Sequence, residues 1–156
     1  MPFLRSVFHT ALSADQVMDH LATITAAGPI ISFFQRAPRD AVFVGKVRDG
    51  SFTLRRNIRY KNSFLPIVRG SFERDSIDTR VTVYMHIHPV VAVFSAVWIS
   101  GVVFALVETL SISGFSSRGA LVGALMLVFA VALTAGGFFP EAFIARRLLK
   151  AAIEGK

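Results

Sequence analysis

Five basic side chains, Arg55, Arg56, Arg59, Lys61 and Arg69, fall within 15 consecutive residues and form the densest cationic patch of the chain. Such a patch is a candidate site for a partner or for anionic lipid headgroups, with nucleic acid as a further reading. Nucleic acid fits worst, because the patch lacks the succession of stacking aromatics that builds a single-strand platform. The plainest reading is a solvated sheet face. His86 and His88 alternate with Ile87 and are expected on one strand face, but two imidazoles fall short of the three or four ligands of a zinc site. No metal and no cofactor are therefore expected. The chain has no cysteine, which removes disulfides, thiolate ligands and a Cys nucleophile. It also lacks a nucleophile elbow, a phosphate-binding loop, a dinucleotide fingerprint and an H-E-x-x-H helix, so no enzymatic activity is expected.

The composition around these residues is unusual. Of 156 residues 53% are hydrophobic and 17% charged, with 15 Phe and a mean hydropathy of +0.57, yet the formal charge is +7. An ordinary soluble domain is less apolar and more charged, roughly 25% charged residues, and a disordered chain is apolar-poor. Most of the excess is local. Residues 89–107 and 119–139 contain no charge, giving runs of 19 and 21 residues. Either run, as a helix rising about 1.5 Å per residue, would cross the roughly 30 Å hydrocarbon core of a bilayer. A hairpin of two spans follows, with a Ser- and Gly-containing connection over 108–118.

Charge assigns a side to it. Residues 1–88 carry 12 Lys+Arg against 7 Asp+Glu, residues 140–156 carry 4 against 2, and the connection holds only Glu108 and Arg118. Basic flanks stay cytoplasmic, so both termini are expected in the cytoplasm of a bacterial cell, with the hairpin in its inner membrane. Ala92, Ala96 and Ser100 recur every four residues, and Gly119 and Gly123 form G-x-x-x-G. Small residues so placed let helices approach closely, here closing the hairpin on itself or, as the lesser alternative, pairing two copies. Trp98, inside the first run, is expected against the second.

The remainder, 1–88 with 140–156, must position the basic patch. Ser13-Ala14-Asp15-Gln16 is a capping box, and Val17, Leu21 and Ile24 continue an apolar stripe, predicting a helix over 14–26. Alternation predicts strands over 41–47, 52–60, 64–72 and 80–88, with a further one over 3–12. Arg56 breaks the second of these on its apolar side. Pro66 cannot donate to a ladder, so that strand is expected at an edge or bulged. Pro140-Glu141 has the chemistry of a helix start, predicting a last helix that covers the sheet rather than the membrane surface. The expected fold class is α+β: a small antiparallel sheet with N-terminal and C-terminal helices, helix-grip-like or pleckstrin-homology-like, with a two-helix transmembrane hairpin inserted before the last helix.

The segment from Ile58 to Gly70, which reads Ile-Arg-Tyr-Lys-Asn-Ser-Phe-Leu-Pro-Ile-Val-Arg-Gly, stands with Thr79-Arg80-Val81-Thr82-Val83 and His86-Ile87-His88-Pro89 ahead of Phe94 and Trp98. Over residues 40–100 the chain thereby resembles a group of small uncharacterised bacterial membrane proteins that carry a Y-[RK]-N-S-F-L-P motif, a Gly-Gly-Thr turn and a Leu-His-Pro entry to the first span. It departs at the last two, with Ile77-Asp78-Thr79 and Ile87-His88-Pro89. The resemblance implies an architecture and no activity. The expected function is binding of a protein partner, or of a second copy, as subunit or accessory of a membrane assembly. Holding a lipid or other apolar ligand is the alternative, and a membrane immunity or protective factor a further one.

Overall fold

In the computed structural model, which describes residues 2–29, 37–48, 50–74, 78–114 and 118–155, the capping box closes as its sequence implies. The Gln16 amide donates to Ser13 Oγ at 3.2 Å, and the Ser13 amide donates to Gln16 Oε1 at 2.9 Å. This starts α1, Ala14–Thr23, which buries Val17 and Leu21 completely. The helix ends before Ala26 because the Ile24 carbonyl is taken by the amides of Val42 and Phe43, and the chain leaves as a short strand.

The strands are β1 (Phe3–Thr10), β2 (Thr25–Ala27), β3 (Phe43–Arg48), β4 (Ser51–Arg56), β5 (Ile67–Arg74) and β6 (Thr79–His86). They form one sheet in the order β1-β6-β5-β4-β3-β2. The sheet is mixed rather than antiparallel throughout, because β2 pairs with β3 in parallel. The strand predicted over 52–60 stops at Arg56, and residues 57–66 form a loop. Pro66 sits just before β5, where its missing donor costs nothing, and β5 is an interior strand without need of an edge.

Two helices remain: α2 (Pro89–Ser113) and α3 (Arg118–Ile153). Helix α2 reaches further than the uncharged run, so Glu108 lies within it and not in the connection. The larger correction concerns Pro140. It does not open a last helix; it lies inside α3, a single helix of 36 residues. At about 1.5 Å per residue this helix is roughly 54 Å long, well beyond the thickness of a hydrocarbon core. Its second half belongs to the α+β domain. Phe138, Ala142, Ala145, Leu149 and Ile153 recur at spacings of three or four and are at most 1% exposed. They meet the inner sheet face, where Phe43, Phe52, Leu54, Val68, Val81, Val83 and Met85 interdigitate with α1 and α3 and fill the layer. The end of α3 is held by Thr10, whose hydroxyl donates to the Ile153 carbonyl at 2.9 Å.

The first half of α3 and nearly all of α2 stand clear of the domain. Both are long and apolar enough to cross a membrane, and only 6% and 11% of their most apolar stretches is buried. The domain does not cover them, as it would a helical pair of its own core. Thr109, Ser111 and Thr134 donate to the carbonyls of Ala105, Val107 and Ala130 at 2.8–2.9 Å, so these hydroxyls are satisfied within their own helices.

Candidate functional site

The apolar faces of β4 and α3 each carry one charge, and the two meet. Period-two alternation from Phe52 and Leu54 turns Arg56 inward. Glu141, three residues after buried Phe138, faces the same layer and is only 4% exposed. A carboxylate there is costly unless paired. Arg56 Nε lies 2.6 Å from Glu141 Oε2, an ion contact rather than an aligned hydrogen bond, and Arg56 Nη2 donates to Glu141 Oε1 at 3.1 Å. The Tyr60 hydroxyl also donates to Oε1 and accepts from Arg56 Nη2 at 3.2 Å. Arg56 thus leaves the surface patch in which its position in the sequence had placed it.

The Tyr60-Lys61-Asn62-Ser63-Phe64-Leu65-Pro66 segment completes this latch. Asn62 Oδ1 accepts from the Phe64 amide at 2.9 Å, which fixes the turn, and Asn62 Nδ2 donates to the Gly137 carbonyl at 2.8 Å. Close approach requires glycine: a Cβ on Gly137 would stand 3.0 Å from Phe64 Cβ. Pro140 removes the amide that would serve the Gly136 carbonyl, so the helix is gripped beside its own interruption. Glu141, Tyr60 and Asn62 were missed as a cluster by sequence reasoning. The available signal was that Arg56 and Glu141 each violate an apolar periodicity, and two violations of opposite sign suggest a pair.

The other face of the sheet bears no helix among the described residues. Register places Arg5, Tyr84, Arg69, Thr53 and Lys46 in one row across five strands, and the Arg5 guanidinium lies 5.5 Å from the Tyr84 ring centroid. Arg5, Lys46, Arg48, Arg69 and Arg80 are exposed on this face, against exposed Glu73 opposite Arg80. Phe3, His86, Ile67, Arg55 and Val44 form the row nearest the start of α2. Arg55 is flanked there by buried Ile67 and Val44, and the burial pushes its guanidinium below the usual arginine value. Its Nε is covered and has no partner among the described residues.

The remaining sequence candidates are dispersed. Arg59 and Lys61 are exposed on the 57–66 loop, and Arg59 donates to the Ala37 carbonyl at 3.5 Å. His86 and His88 do not share a strand face: His88 lies beyond β6 and caps α2, accepting from the Val90 amide at 3.2 Å. No group of three metal-ligating side chains occurs among the described residues. Gly119 and Gly123 face α2, where added Cβ atoms would stand 2.8 Å from Thr109 Cγ2 and 3.0 Å from Leu106 Cδ1. Ala92 is buried in the domain core, whereas Ala96 and Ser100 are exposed. Trp98 and Met126 line a groove of about 390 Å³ between α2 and α3.

No protein-family model, no curated protein and no solved structure matches the chain.

Proposed function

We propose that this chain is a two-span integral protein of a bacterial inner membrane whose cytoplasmic α+β domain is a non-enzymatic binding module for an acidic protein partner. The observation that supports this best is the continuity of α3. One helix supplies both a bilayer-length apolar half and the helix that fills the sheet, so the hairpin and the domain are mechanically one piece. The packing of the segments before and after the hairpin against each other supports a common side for both. The excess of Lys and Arg in 1–88 and 140–156 favours the cytoplasm for that side.

A module held in this way presents its uncovered sheet face. Five exposed cations there, Arg5, Lys46, Arg48, Arg69 and Arg80, against one exposed acid, Glu73, among the described residues match a partner bearing Asp and Glu. The packed layer between sheet and helices favours this reading over the apolar-ligand alternative. The test is gentle extraction of the full chain from its native membrane followed by mass spectrometry. An acidic protein should accompany the wild type and be lost from K46E/R69E. Release of the chain by alkaline carbonate would overturn the membrane assignment, and a partner unaffected by K46E/R69E would overturn the assignment of the face.

A further inference from the structure

Spans are usually held at the bilayer surface by Lys and Arg in their own flanking sequence and by interfacial aromatics. On the domain side no Lys or Arg lies within six residues of either uncharged run. Before Pro89 the nearest is Arg80, and after Phe139 it is Arg146. The fold brings cations to this level from elsewhere. Strand β6 runs directly into α2, so the sheet edge at His86 faces the hairpin; β4 ends and β5 begins on that edge, and the 57–66 loop joins them. The Asn62 bond to the Gly137 carbonyl ties the same loop to α3 two residues before its uncharged run ends. Two independent connections therefore set the height of Arg59, Tyr60 and Lys61. Arg59 and Lys61 are exposed, and neither forms an ion pair among the described residues. Tyr60 has its hydroxyl on Glu141 while the residue remains 56% exposed, an amphipathic disposition suited to the headgroup region.

We propose that Arg59, Tyr60 and Lys61 form a docking site for anionic phospholipid headgroups, adding through tertiary structure an interfacial anchor to the more distant cations of the hairpin's own flanks. This site rests on the membrane reading above. It is separate from the partner face, whose cations lie on the strands.

The experiment reconstitutes the full chain in phosphatidylcholine bilayers with and without phosphatidylglycerol and measures the headgroup enrichment around the protein. Wild type should enrich phosphatidylglycerol, R59Q/K61Q should lose about fivefold of that preference for each cation removed, and R59K/K61R should keep it. K46Q/R48Q, on β3 and two and four residues beyond the row nearest α2, should also keep it. Failure of the chain to remain in bilayers at alkaline pH would remove the membrane reading and this site together. Stable insertion without any preference for phosphatidylglycerol would overturn the headgroup site alone. Equal loss in K46Q/R48Q would overturn it as well, by showing an effect of net charge without location.

Discussion

Arg56 of β4 and Glu141 of α3 are 85 residues apart in sequence and 2.6 Å apart at their nearest charged atoms, in the seam where the apolar half of α3 becomes a core helix. Replacing Glu141 by Gln leaves a largely covered guanidinium with a neutral acceptor. Breaking a buried pair on one side costs about 3–5 kcal/mol. Arg56 keeps a fifth of its side-chain surface, so E141Q should cost less, roughly 2–3 kcal/mol, in chemical unfolding of the purified chain. R56M/E141L, which removes both charges, should recover much of that loss.

Two glycines on the inner sheet face should respond differently to the same added methyl group. At Gly45 a Cβ would meet the Thr53 carbonyl oxygen at 2.1 Å, with φ +156, and backbone cannot yield without breaking the ladder. At Gly70 it would meet the Phe52 ring at 2.1 Å, and a ring can turn. G70A should cost about 1–3 kcal/mol as core overpacking, whereas G45A should cost more and shift β3 and β4 amide resonances together.

Within the hairpin, Gly123 lies against Leu106 while Gly136 has nothing within 4 Å of an added Cβ. G123L should push α2 and α3 apart, and G136A should not. The chain has no cysteine, so thiols introduced at Val102 and Val122 report the separation directly: cross-linking should fall sharply in G123L and be unchanged in G136A.

Arg55 offers a stabilising substitution. Its stem covers Ile67 and Val44 while its Nε is buried without a partner among the described residues. Methionine keeps the apolar stem and removes the stranded donor. R55M should raise the unfolding free energy by up to about 1 kcal/mol. A loss of stability would mean that the guanidinium has an essential partner.

Local chemistry in the sequence was enough for the features that depend on neighbours along the chain. The capping box of Ser13 and Gln16, the alternation that makes β6, the apolar runs of α2 and α3, and Gly119 and Gly123 at the helix seam are all written in residue spacing, because a helix turn or a strand pleat repeats over a few residues. Three features needed the fold. Pro140 reads locally as a helix start, yet the packing of Phe138 against the sheet from one side of it and Ala142 from the other carries the helix through. Alternation turns Arg56 to the apolar side, but its partner there, Glu141, is supplied only by the approach of α3. The height of Arg59 and Lys61 relative to the apolar helices is set by β6 entering α2 and by Asn62 gripping Gly137. Such relationships join segments dozens of residues apart, and no short-range periodicity encodes them.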